Sequence, residues 1–448
     1  MQEDVDPGVG HGPHATSYAR GDRRTSPTAT ASREPRVDHL TRAAEADATD
    51  PLRHYRDRFH SAPTDAVVSY LDGNSLGRPT AASIEKVTRF MTDAWGGRLI
   101  RGWDEQWWDL PITQGDTLGR VVLGAAEGQT VIADSTTVLL YKLIRGALSL
   151  RPGRTEIVVD RDNFPTDRYV VESIAKDRGL TVRWIDSDPR GGVEAGQLAA
   201  AVTDRTAVVV LSHVAYRSGF LLDAAAAAET AHGRGALLLL DLSHSVGSVP
   251  LHLDDWGVDL ATGCTYKYLN GGPGSPAFAY VRHEHHDGLD HPIHGWAGRA
   301  DSFAMEQGWV PADGIRRLLS GTPPILAMIA MQDTLQMIDE VGMHAVRAKS
   351  VALTALALDH AHAELTPLGV EIASPEDPAR RGGHVTLDHP GFRDITPRLW
   401  SRGVVPDFRA PHGLRLGPSP LSTSFQELVT GMDAIRDEVR RHRLAGEN

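Results

Sequence analysis

A single lysine stands between two tyrosines and ahead of a glycine-rich turn in Gly263-Cys264-Thr265-Tyr266-Lys267-Tyr268-Leu269-Asn270-Gly271-Gly272-Pro273-Gly274. The chain has only five lysines, Lys86, Lys142, Lys176, Lys267 and Lys349, so arginine carries nearly all of its positive charge. A lysine in an apolar setting points to chemistry that arginine cannot do, a Schiff base with an aldehyde. Upstream, Ala236-Leu237-Leu238-Leu239-Leu240 runs into Asp241-Leu242-Ser243-His244-Ser245. An unbroken apolar run ending in a polar turn predicts a buried parallel strand, and open α/β sheets present site residues at the carboxyl ends of such strands. Asp241 is thereby a candidate site carboxylate.

A lysine for an imine and a carboxylate to keep a pyridine nitrogen protonated are what pyridoxal phosphate asks of a protein. Lys267 and Asp241 supply that pair. The cofactor phosphate needs N–H groups and hydroxyls at a helix start, and Ser135-Thr136-Thr137 offers them between a predicted strand and a predicted helix. An ordinary helix cap is the competing reading. Phe164, in Asp162-Asn163-Phe164-Pro165-Thr166-Asp167, follows another predicted strand and offers a ring to stack on the pyridine, against the commoner role of core packing. Asp167 reads equally as a helix N-cap. Arg415, in Gly413-Leu414-Arg415-Leu416-Gly417-Pro418, matches a substrate carboxylate bidentately, with a structural ion pair as the alternative.

The elements that position these groups alternate. Strands are predicted at 130–133, 156–160, 181–185, 207–211, 236–241 and 260–263, with helices at 137–148, 167–177 and 224–232 between several of them. That order implies parallel pairing through right-handed crossovers, hence a three-layer α/β/α large domain with a mainly parallel sheet. After Pro323-Pro324 the texture becomes a long helical region to about 365, a strand-bearing segment and a last helix near 425–442, which reads as a smaller α+β C-terminal domain. The expected divisions are a disordered N-terminal tail at 1–50, a segment at 51–110 packing on both lobes, the large domain at 111–322 and the small one at 323–448.

Composition bounds the function. A formal charge of -12 and the lack of a basic stripe argue against a nucleic-acid surface. The single cysteine, Cys264, allows no internal disulfide and suits a reducing cytoplasm. No apolar run approaches the ~20 residues of a membrane helix. The histidines of His283-Glu284-His285-His286, with His291 and His294, lack HExxH spacing because Asp287 holds the fifth position, and no metal site is expected.

Several segments together resemble the kynureninases, fold-type I pyridoxal phosphate enzymes of the class V aminotransferase group. They are Tyr70-Leu71-Asp72-Gly73-Asn74-Ser75-Leu76-Gly77, Trp107-Trp108-Asp109-Leu110-Pro111, Ala133-Asp134-Ser135-Thr136-Thr137, Asn163 to Asp167, His213-Val214-Ala215-Tyr216-Arg217, the Asp241 and Lys267 segments, Gly321-Thr322-Pro323-Pro324 and Val405-Pro406-Asp407-Phe408-Arg409. The resemblance implies a Schiff base on Lys267, Asp241 at the pyridine nitrogen and Phe164 stacked on the ring. It implies Thr136, Thr137 and Tyr266 at the phosphate, Asp167 and His244 lining the cofactor, and Arg415 and Ser75 at the substrate. Trp296 and Thr322 would reach the cofactor from the second subunit of a homodimer. The implied reaction is hydrolysis of L-kynurenine, or its 3-hydroxy form, to (3-hydroxy)anthranilate and L-alanine. Leu139, Ala215 and Ser422 stand where the family has asparagine, asparagine and tyrosine, and are expected to reshape the substrate pocket. A relative acting on a substituted kynurenine or another β-acyl amino acid is the alternative. A desulfurase would need a cysteine on a mobile loop, and a binding protein without catalysis would have no use for the intact lysine, aspartate and arginine.

Overall fold

The computed structural model describes residues 38–61 and 66–446. Thirteen strands form three sheets: β1 (Ser69–Tyr70), β2 (Thr130–Ala133), β3 (Glu156–Asp160), β4 (Thr181–Ile185), β5 (Thr206–Ser212), β6 (Leu237–Asp241), β7 (Leu260–Cys264), β8 (Ala277–Val281), β9 (Glu371–Ile372), β10 (Val385–Asp388), β11 (Val404–Val405), β12 (Asp407–Arg409) and β13 (Gly413–Leu416). The large sheet has the order β2-β8-β7-β6-β5-β3-β4. β8 alone runs opposite to the other six strands of this sheet. Strands β2, β3, β6 and β7 are buried along their whole length, as their apolar runs require of strands covered on both faces. The helices Thr136–Leu150 and Pro165–Arg178 close one face through Leu140, Ile144, Val171 and Ile174. The other face packs against Ala224–His232 and the 110–123 region.

The second sheet, β12-β13-β10-β9, is antiparallel and carries its own core with the last helix, Phe425–Gly446, and the helix Phe392–Ser401. Apolar residues from Ile325 to Val346 still belong to the core of the large sheet, and the second core begins at Leu353. The change of core therefore falls inside the helix Met343–His360 and not at residue 322. Segment 66–80 ties the two sheets together. β1 pairs in parallel with β11, and the Gly77 N–H donates to the Tyr266 carbonyl at 2.9 Å. A Cβ on Gly77 would collide with the Lys267 carbonyl and with Asn270, so this close approach to the lysine turn requires glycine.

The disordered stretch expected through residue 50 does not extend that far; its part at 1–37 lies outside the described residues. Residues His39–Thr49 form a helix capped by Asp38. Its apolar residues are four alanines and Leu40, and only tertiary contact reveals it: Ala43 is buried in the second core and the His39 ring lies 4.8 Å from that of His360. Asp47 accepts from the N–H groups of Phe425 and Gln426 at 2.9 and 3.0 Å, capping the last helix from outside. Asp47→Ala is expected to cost about 1 kcal/mol, the usual worth of a cap. A lowered urea midpoint at unchanged slope is the check.

Candidate active site

The predicted site residues gather at the carboxyl ends of the parallel strands. Asp241 closes β6, in register with Ser212 of β5 and Thr262 of β7. β7 leads into Thr265, Tyr266 and Lys267. β3 leads through Asn163 and Phe164 into the helix that carries Asp167 in its first turn. β2 ends at Asp134, and Ser135 caps the helix Thr136–Leu150 by accepting from the Val138 N–H at 3.4 Å. Thr136 is half-buried and Thr137 exposed at that helix start, so hydroxyls and unpaired amides face outward together.

Asp167 and Asp241 are both buried, close enough for the Asp241 charge to act on the Asp167 carboxyl. Asp241 Oδ1 accepts from the Ser243 N–H at 2.8 Å, whereas Asp167 Oδ2 has no partner. Burial drives the Asp167 pKa well above the ordinary carboxylate range, and the neighbouring Asp241 and then Asp160 push it the same way. Two facing carboxyls away from water call for a cation between them. A protonated pyridine nitrogen is such a cation, and the orphaned oxygen is a second acceptor for it. The donor set thus fits pyridoxal phosphate.

Lys267 Nζ is buried and lies 3.1 Å from His244 Nε2. Burial holds His244 well below its ordinary pKa, and the charges of Lys267 and Arg415 add to the effect. His244 is therefore neutral and its Nε2 accepts from the lysine. The Tyr266 ring lies 5.9 Å from Lys267 Nζ; burial raises its phenol pKa, with Cys264 and Asp241 contributing, so it keeps its proton. Phe164 meets the Tyr216 ring edge-on at 5.5 Å.

Arg415 departs from its expected bidentate role. Its Nε donates to Asp407 Oδ2 at 2.8 Å, Nη1 to the Tyr216 carbonyl at 2.6 Å, and Nη2 to Ser75 Oγ at 3.0 Å and again to Asp407. Ser75 thus reaches the arginine. Trp296 and Thr322 are exposed, Trp296 in a ring cluster with Trp108 and Phe303. Of the three departures, Leu139 is fully buried in the core beneath the sheet and cannot shape a pocket. Ala215 lines a small cavity with Asn163, Ser212 and Tyr216. Ser422 is buried in the turn after β13, its N–H donating to the Ser419 carbonyl at 3.2 Å. Sequence reasoning missed His384, whose buried ring lies 5.5 Å from that of His244 with no hydrogen-bond partner on either nitrogen. A histidine just before a short strand carries no signal of that proximity. Among the described residues, Asp259, Glu284 and His285 come close enough for a metal, but Asp259 already accepts from His285 at 2.7 Å, from His232 at 2.8 Å and from the Leu238 N–H.

A mainly parallel sheet with a buried lysine and two buried carboxyls at its carboxyl edge is the arrangement of the pyridoxal phosphate enzymes of fold type I. The cysteine desulfurase of Thermococcus onnurineus NA1 shares the fold at a TM-score of 0.72 and 17% identity, over 83% of this chain and 95% of that one. A C-DES variant with glycine linked covalently to its PLP cofactor gives a TM-score of 0.73 at 18% identity, over 85% and 99%. The family described as aminotransferase class-V matches residues 119–393. The kynureninases of Pseudomonas fluorescens and Burkholderia pseudomallei (strain 1106a) are each 38% identical over 402 residues, covering 88% of this chain and 94% of theirs. The chain belongs to the aminotransferase class-V family, and within it to the kynureninases.

The carboxyl pair makes a pH-dependent prediction for the cofactor-free protein. A carboxyl whose folded pKa is raised loses stabilisation as pH climbs from its ordinary value of 3.8 toward the raised one. Cofactor-free Asp167→Asn should therefore unfold at higher temperature than the parent at pH 8, with the gap shrinking toward pH 4. Parallel melting curves across that range test it.

Proposed function

We propose that the chain hydrolyses the Cβ–Cγ bond of L-kynurenine or 3-hydroxy-L-kynurenine, giving anthranilate or 3-hydroxyanthranilate and L-alanine. The observation that carries this reading is Lys267 Nζ held 3.1 Å from a neutral His244, at the strand ends that also carry the Asp167–Asp241 pair. Bound there, pyridoxal phosphate supplies an electron-withdrawing ring conjugated to the substrate nitrogen, which acidifies the Cα–H and weakens the Cβ–Cγ bond. Asp241, with Asp167 beside it, keeps the ring nitrogen charged. Thr136, Thr137 and Tyr266 would hold the phosphate, and Phe164 would stack on the ring. Lys267 Nζ, aimed by its hydrogen bond to His244, would take and return the Cα proton. Tyr266, still carrying its proton, is placed to donate it as the γ-carbonyl takes up water. Water's oxygen ends on the γ-carbon of the aromatic acid. The Cβ–Cγ electron pair leaves with Cβ, which gains a proton and becomes the methyl of alanine. Ser75 and Arg415 meet the amino-acid end of the substrate.

The working unit is a cytoplasmic homodimer in which Trp296 and Thr322 of one copy approach the cofactor of the other. The exposure of Trp296, together with exposed Trp95, Leu99 and Ile100 on one stretch, supports an apolar face that a second copy covers. A second reading, a substituted kynurenine or another β-acyl amino acid, is favoured by Ala215, whose methyl leaves room beside Tyr216.

Incubation with each substrate should yield aromatic acid and alanine in equal amounts. Neither product from either substrate would move the assignment to the second reading. Lys267→Arg should abolish product, and Tyr266→Phe should lower kcat about 100-fold, as loss of one proton donor does. Ile100→Glu should shift sedimentation from dimer toward monomer with loss of activity.

A further inference from the structure

The Val405-Pro406-Asp407-Phe408-Arg409 segment has one group without a task. Alternation along β12 puts Asp407 and Arg409 on the same face of the second sheet, and Asp407 stands directly opposite Arg415 of β13. The residue opposite Arg409 is Gly413, which sets no side chain against it. Arg415 spends four of its five N–H donors on Asp407, Ser75 and the Tyr216 carbonyl, which leaves one. A carboxylate needs two or more. Arg409 has them: its Nε lies 2.8 Å from Asp407 Oδ2 without hydrogen-bond geometry, and its Nη1 and Nη2 make no hydrogen bond among the described residues. Its side chain is 39% exposed, against 1% for Arg415, so a ligand can reach it. Its charge is felt at both His244 and Tyr266. Two guanidiniums thus share Asp407, with Asp72 the next nearest acid and its pKa raised to about 6 by burial and by Asp407. The spot keeps an excess of positive charge.

We infer that Arg409 is a substrate-binding residue, gripping the α-carboxylate with its free Nη pair while Arg415, locked onto Asp407, adds its one remaining N–H. The inference rests on the amino-acid substrate proposed above. It changes the division of labour at that end, with Arg415 holding the frame and Arg409 the ligand.

The test uses the holoenzyme and three ligands. L-Alanine binding, read from the absorbance of the bound cofactor, should weaken about 10- to 100-fold in Arg409→Gln, the range for losing charge-assisted hydrogen bonds. KM for kynurenine should rise by a similar factor while kcat changes little. Kynuramine, which is kynurenine without its carboxylate, should bind both proteins alike. Arg409→Lys, which keeps the charge and loses the fork, should fall between. Unchanged alanine affinity in Arg409→Gln, or equal weakening of alanine and kynuramine, overturns the inference. Alanine binding does not depend on which acyl group is cleaved. Failure to turn over kynurenine therefore sinks the proposed reaction alone.

Discussion

Two neighbouring buried carboxyl groups, Asp167 and Asp241, set the terms for everything around them. Like charges that close cannot both ionise away from water without a cation, and among the described residues neither makes an ion pair. Their position follows from the sheet. Asp241 ends a strand of five buried residues, and Asp167 lies in the first turn of a helix started by Pro165, so neither can retreat without moving an element. A ligand cation at this point gains the interaction that the protein lacks, which is why the pair reads as a pyridinium site and not as a structural ion pair.

The lysine end is fixed by a different constraint. Asn270, at φ 56°, turns the chain just after Lys267, and Gly77 lies directly on that turn. Segment 66–80 reaches the second sheet just after β13, where the Gly417 N–H donates to the Leu71 carbonyl at 2.6 Å and the Gly73 N–H to the Gly417 carbonyl at 2.9 Å. The Arg381–His384 stretch makes a second tie, with the Gly382 N–H donating to the Gly219 carbonyl at 2.7 Å and the Tyr268 hydroxyl to the Gly383 carbonyl at 3.2 Å. The arginine end of the site is therefore rigidly referenced to the lysine end, although the two are built on different sheets.

Much of the large sheet was legible because fully apolar strands broken by helices leave few topologies. Asp241, Lys267 and the Ser135 cap were legible for the same reason, since each sits where a strand run stops. Strand β8 was not foreseen, being antiparallel and outside the repeating strand–helix order. The helix at 39–49 was hidden because its apolar residues are mostly small alanines and its cap on the last helix joins residues almost four hundred positions apart. His384 and the shared grip on Asp407 were hidden likewise, since they arise only where the second sheet meets the first. Leu139 shows the converse: a difference from the family that looked like a pocket change lies in the core beneath the sheet.

The two ends of the site carry opposite charge, and this decides orientation. At one end the carboxyl pair asks for a cation; at the other Arg409 and Arg415 outnumber Asp407 and ask for an anion. Lys267 and His244, the latter kept neutral by burial and by the surrounding cations, lie where the charges of both ends are felt. An α-amino acid whose amine goes to the lysine and whose carboxylate goes to the arginines has its side chain pointed by elimination, since both polar ends are taken. Reversing it would set a carboxylate toward the acids and leave the arginines unpaired, at a cost of several kcal/mol for such juxtapositions. The fold thus specifies the head of the substrate by charge and leaves its acyl tail to shape, and it is on the shape side that Ala215 departs from its relatives.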